Sequence, residues 1–107
     1  MIYEMRTYYS MPGKMGALHR RFREHTLRLF RKHGMEVTGF WEVVIGPGPA
    51  LVYVLGYPDL GARQRSWDAF QADPEWQRAR EESERDGPIV GRIESMILRG
   101  TDYGPNA

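Results

Sequence analysis

The amino-acid order predicts an α+β fold of the ferredoxin-like βαββαβ type, a four-stranded antiparallel sheet with helices on one face. Three observations carry that expectation. The apolar spacing switches between a period of 2 and a period of 3.6 in the order strand, helix, two strands, helices, strand. Glycine, proline and aspartate mark the switches, at Pro12-Gly13, Gly34, Gly46 to Pro49, Asp59, Asp73-Pro74 and Gly87-Pro88. The stretch Leu51-Val52-Tyr53-Val54-Leu55-Gly56-Tyr57 carries no charge on either face.

The first strand is expected over residues 2–9, short and aromatic-rich, ending before Pro12-Gly13. Alternation puts Ile2, Glu4, Arg6 and Tyr8 on one face and Tyr3, Met5, Thr7 and Tyr9 on the other. From about Lys14 to His33, Met15, Leu18, Phe22, Leu29 and His33 form a helical stripe that also takes in His25. Gly34, just after Lys32 and His33, stops that helix. Residues 35–45 read as a second strand. Gly46-Pro47-Gly48-Pro49 cannot continue a ladder, so a hairpin leads into a third strand over about 50–57. Asp59 caps a helix carrying Leu60, Trp67 and Phe70, and Asp73-Pro74-Glu75 starts another with Trp76 and Ala79. A last strand is expected over about 91–99. Residues 1–100 then make one domain, with 101–107 as a loose tail.

The 107 residues hold 15 Lys plus Arg against 14 Asp plus Glu, a formal charge of +1. That balance speaks against nucleic acid as a partner, which needs a clustered positive excess. The basic run from His19 to Lys32 is a solvated helix face with Glu24 interspersed. With no cysteine, disulfides, thiol nucleophiles and Cys-ligated metals are excluded. No apolar run reaches the roughly 20 residues of a membrane span, and a soluble cytoplasmic protein is the expectation.

The third strand bears on assembly. A sheet with one wet face should alternate apolar and polar residues, and this strand does not. Helices cover one side only, so a second copy of the chain is expected on the other, giving a homodimer through the sheet face.

Several segments together resemble the NIPSNAP family. They are Ile2-Tyr3-Glu4-Met5-Arg6-Thr7-Tyr8 with Pro12-Gly13-Lys14, Lys32-His33-Gly34, Gly39-Phe40-Trp41, Asp73-Pro74-Glu75-Trp76 and Glu94-Ser95-Met96-Ile97-Leu98. The resemblance runs over about residues 1–99 in matching order. It implies a dimeric α+β barrel, in which two ferredoxin-like sheets face each other. It also implies a histidine at the position of His25 in many relatives. The wider barrel superfamily includes cofactor-independent monooxygenases, polyketide cyclases, lactone isomerases and haem-binding enzymes, and the fold does not select among them.

The candidate site residues follow from their chemistry. His25, in the apolar stripe, is a candidate general base or else a buried neutral histidine. Arg6, in mid-strand, is either half of an ion pair with Glu4 or a partner subunit, or a clamp for a substrate oxyanion. Tyr8, Trp41, Tyr53, Trp67 and Trp76 are candidate walls of a pocket or members of the core. His33 closes its helix or stands at a pocket mouth. A metal site is not expected: His19 and His25 diverge by about 240°, and His25 and His33 lie roughly 12 Å apart along the helix. No cofactor is called for, although a haem held axially by His25 is conceivable.

Two functions fit. One is a cofactor-independent enzyme resembling a monooxygenase, cyclase or isomerase, acting on a small, flat, aromatic or polyketide-like molecule. The other is a non-catalytic binding or scaffold protein with the same pocket filled.

Overall fold

The computed structural model describes residues 1–105. Its elements are β1 (Ile2–Ser10), α1 (Met15–Arg21), a π-helical turn (Phe22–Thr26), α2 (Leu27–Lys32), β2 (Glu36–Glu42), β3 (Ala50–Tyr57), α3 (Leu60–Ala72), α4 (Pro74–Ser83) and β4 (Val90–Arg99). The four strands form one antiparallel sheet in the order β2-β3-β1-β4, with β3 and β1 at its centre. This is the ferredoxin-like α+β fold. Residues 101–105 carry no helix or strand, and the last two residues of the expected tail lie outside the described residues.

Strand alternation divides the sheet into two unlike faces. Glu4, Arg6 and Tyr8 of β1 stand beside Leu55, Tyr53 and Leu51 of β3, all on the helix side. There the core forms from Leu18, Phe22, Leu29 and Phe30 of the first helical run, Trp67 and Phe70 of α3, and Trp76 of α4. The rings interlock: Phe30 lies 5.0 Å from Phe70 and 5.6 Å from Trp67, and Phe70 lies 4.7 Å from Trp76. On the other face Tyr3, Met5, Val52, Val54, Met96 and Leu98 are neighbours by register, and no helix covers them.

Two irregularities alter what the sequence spacing leads one to expect. The helix over residues 14–33 is interrupted by the π turn, in which the Leu27 N–H bonds the Phe22 carbonyl five residues back. Thr26 Oγ1 also donates to the Arg21 carbonyl, at 3.3 Å. The wider turn brings Thr26 into the buried stripe between Phe22 and Leu29 and turns His25 to its flank. In β2 the register shifts between Val37 and Gly39, so Thr38 is an extra residue. Val37 and Phe40 therefore share the helix side, and Trp41 lands on the open face, 54% exposed. A Cβ on Gly39 would sit 2.7 Å from the Trp41 ring, so glycine is what lets the indole lie across the strand. The second strand also ends at Glu42 rather than 45, leaving Val44 and Ile45 exposed before the Gly-Pro-Gly-Pro turn.

The helix ends meet at Asp73. Its carboxylate accepts from the Glu75 N–H as the α4 cap, from Lys32 Nζ at 2.8 Å, and binds His33 Nε2 at 2.7 Å. One side chain thus ties the end of α2 to the start of α4. Replacing it with alanine removes a cap and two side-chain contacts at once. Asp73→Ala is expected to cost about 2 kcal/mol in chemical denaturation, and Asp73→Asn, which keeps an N-cap acceptor, clearly less.

Candidate functional site

The site starts from β1. Glu4, Arg6 and Tyr8 follow one another at two-residue spacing, so three polar side chains line up along the helix side of a central strand. Glu4 has no solvent exposure. A buried carboxylate is costly unless it is fully bonded, and this one is. Its Oε1 accepts from Tyr57 at 2.9 Å, Arg63 Nε at 3.0 Å and Trp67 Nε1 at 3.0 Å. Its Oε2 accepts from Ser95 at 2.6 Å, Arg63 Nη2 at 2.9 Å and Arg6 Nη1 at 3.2 Å. Arg63 and Trp67 reach it together because residues four apart share a helix face.

Burial pushes the Glu4 carboxyl up, but the bonds from Arg63, Ser95, Trp67 and Tyr57 outweigh it and hold it down at about 2. Burial raises the Tyr57 hydroxyl, and the Glu4 charge raises it further. Arg6 is the other half of the arrangement. Burial disfavours its charge, yet Tyr53, Tyr8 and Glu4 together raise its pKa, so it stays a cation. Its Nε donates to Tyr53 at 2.8 Å and its Nη2 reaches Tyr8 at 3.4 Å. The guanidinium lies 4.5 Å from the Trp67 ring centre, a cation–π contact. A guanidinium carries five N–H donors, and these contacts use three.

Arg6 forms one wall of a cavity of about 420 Å³ between the helices and the β1–β4 side of the sheet. Tyr8, Phe22, Phe30, Trp67, Phe70 and Trp76 supply its aromatic surface. Four arginines line it (Arg6, Arg21, Arg80 and Arg92) with Glu84 as its one acidic residue. Arg21 is 6% exposed and stands 5.3 Å from the Trp76 ring. It bonds Ser83 at 3.2 Å and Glu84 at 3.4 Å, and its Nε has no acceptor among the described residues.

The structure brings together Arg6, Tyr8, Trp67 and Trp76, with Tyr53 buried behind them, as cavity or near-cavity residues. It does not bring His25, His33 or Trp41 there. His25 is 37% exposed and 3.9 Å from Glu24, turned aside by the π turn. His33 is held by Asp73 and packs edge-on to Phe70. Trp41 lies on the open sheet face and borders a separate hollow of about 300 Å³ with His19, Phe40 and Glu42. The Arg6–Glu4 ion pair expected within the strand is present. Sequence spacing did not reveal Arg21, Arg63 and Arg80; Trp67 at four residues from Arg63 was the one available signal for the last contact to Glu4. Among the described residues, no group of three or more His, Asp or Glu could hold a metal ion, and no helix is long and apolar enough to cross a membrane.

The depressed Glu4 pKa has a definite sign. Its contribution to stability is present above the ordinary carboxylate value of 4.5 and is lost as pH falls from there toward 2. Glu4→Gln is expected to lose about 3 kcal/mol at neutral pH, because Arg6 and Arg63 lose their shared anion. Urea melts at stepwise pH check this: the variant's stability should fall less steeply than the wild type's between pH 4.5 and 2.

Solved structures similar to this chain include NIPSNAP family proteins and, at lower identity, proteins of another description. An uncharacterized NIPSNAP-like domain protein from Burkholderia xenovorans is 27% identical, with a TM-score of 0.86, the match covering 97% of this chain and 88% of that one. A NIPSNAP family protein of unknown function from Agrobacterium tumefaciens is 25% identical, with a TM-score of 0.87 over 98% and 92% of the two chains. A putative antibiotic biosynthesis monooxygenase from Nitrosomonas europaea shares the fold at a TM-score of 0.64 and 13% identity, over 94% and 98%. No curated protein matches the chain. The NIPSNAP family model matches residues 3–105, and the chain belongs to that family.

Proposed function

We propose that this protein works as a homodimer that binds a small, flat aromatic molecule in the cavity between helices and sheet, where Arg6 holds an oxygen of that molecule. The observation that carries this reading is the Arg6 guanidinium, desolvated and fixed over Trp67 at the wall of an aromatic cavity, with two N–H donors to spare. Such a donor set is complementary to an oxyanion. It supplies the electrostatic part of a cofactor-independent oxygenase, cyclase or isomerase reaction, in which negative charge develops on a carbonyl or phenol oxygen. Flat aromatic ligands match the walls in shape and apolarity. His25, outside the cavity, has no part in this reading.

Support for the dimer comes from the open face of the sheet. Trp41, Met96 and Leu98 are exposed there beside Val52 and Val54, and an uncovered apolar face of this breadth favours pairing with a second copy.

Both parts can be measured. Light scattering at micromolar concentration should give twice the mass of the chain, and Val54→Glu, a charge at the centre of the open face, should give the monomer. A wild-type monomer would overturn the pairing. A thermal-shift screen of aromatic and quinone compounds should find a class that raises Tm by several degrees. That shift should disappear in Arg6→Gln and persist in His25→Ala. A shift retained by Arg6→Gln would remove Arg6 from the site.

A further inference from the structure

The hydroxyl chain behind Arg6 has a direction, and the direction says what kind of ligand group the cavity takes. Arg6 Nε can only donate, so at 2.8 Å the Tyr53 oxygen accepts from it. Tyr53 is fully buried, and its one other polar neighbour is the Tyr8 oxygen, also at 2.8 Å. If Tyr8 donated to Tyr53, the Tyr53 proton would be buried with no acceptor, which is the costlier arrangement. Tyr53 therefore donates to Tyr8. Tyr8 accepts from Tyr53 and, more weakly, from Arg6 Nη2, and no acceptor for its own proton stands among the described residues. Tyr8 is also the member of the chain that lines the cavity.

A second observation is independent of this one. At the other end of the cavity Arg21 is more than nine-tenths buried with its Nε unpartnered. Glu84, its one acidic contact, also serves Arg80, at 3.7 Å. The charged lining of the cavity is thus four arginines against one glutamate, beside the neutral Thr26 and Gln71. A neutral hydrocarbon would leave these groups unanswered, and a cationic ligand would be repelled.

We propose that the cavity selects an aromatic carboxylate, with the carboxylate accepting the Tyr8 proton and the free Arg6 N–H, and the ring lying between Trp67 and Trp76. This rests on the cavity being the binding site, and it names the ligand class. Tyr8 is the direct donor. Tyr53 is a positioning residue, which orients Tyr8 by donating to it and fixes Arg6 by accepting from it.

The test is calorimetric titration of the full chain with 2-naphthoate and with its neutral isostere 2-naphthamide. The acid is expected to bind at least tenfold tighter than the amide. In Tyr8→Phe, which keeps the ring and so the packing on Phe22, that ratio should fall several-fold, the Arg6 cation holding the remainder. In Tyr53→Phe it should fall by less than in Tyr8→Phe, an effect that loss of packing alone would not produce. Equal binding of acid and amide to the wild type would overturn the selection for an anion and leave the cavity as a site for flat molecules. Binding of neither would overturn the cavity reading itself. A preference for the acid that is undiminished in Tyr8→Phe would overturn the assignment of Tyr8 as the donor.

Discussion

Glu4 is an ionised carboxylate with no access to water, and side chains from β1, β3, β4 and α3 converge on it. Its six bonds join elements that are far apart in sequence, up to the 91 residues that separate Glu4 from Ser95. A charge in such a place is tolerated only when every lone pair is answered, so the position of each partner is constrained by the others. Helix α3 cannot slide along the sheet without drawing Arg63 and Trp67 away from the carboxylate. Arg6 cannot turn outward without giving up both Glu4 and Tyr53. The aromatic packing of Phe30, Phe70 and Trp76 supplies the cohesion of the layer, but it is adaptable. The carboxylate supplies its register.

Much of the fold was legible because local signals and tertiary demand agree. The third strand was placed at its observed bounds: it is bracketed by a proline-rich turn and by Pro58-Asp59, and Val52, Tyr53, Val54 and Tyr57 within it are β-branched or aromatic. The single polar face Glu4-Arg6-Tyr8 also followed from alternation alone. What was not legible came from insertions of one residue. The π turn at Phe22–Thr26 leaves composition and capping unchanged, so spacing counted at 3.6 carries His25 into the stripe where Thr26 actually lies. The extra residue at Thr38 does the same in a strand, where one residue exchanges the faces completely and moves Trp41 from the helix side to the open side.

The site divides along the same line. Arg6, Tyr8, Tyr53, Trp67 and Trp76 could be singled out because each sits in a regular stretch, where periodicity fixes its direction. Of the other arginines, Arg21 falls in the run expected to be a solvated helix face, and nothing in the local pattern singles out Arg63 or Arg80, since arginine at exposed helical spacing is the common case. What distinguishes Arg21 is Ser83 and Glu84 more than 60 residues away, and no local pattern reports a contact of that range. His33 illustrates the opposite case. Its role as a helix-end donor was readable from the neighbouring glycine, and its acceptor, Asp73, was readable as a cap, though not that the two ends meet.

The buried carboxylate and the proposed ligand site belong to one electrostatic system. Glu4 is shared by Arg6 and Arg63, so neither cation is fully neutralised, and the arginine nearer the cavity retains both charge and donors. Held at three points by Glu4, Tyr53 and Tyr8, the Arg6 guanidinium is already in place before anything binds. A cation ordered in advance forfeits little rotamer freedom on meeting an anion. Had Glu4 been apolar, Arg6 would keep Tyr53 and Tyr8 but lose its one anionic anchor in the strand. The same carboxylate that sets the register of α3 on the sheet therefore also aims the one guanidinium on which the proposed binding depends.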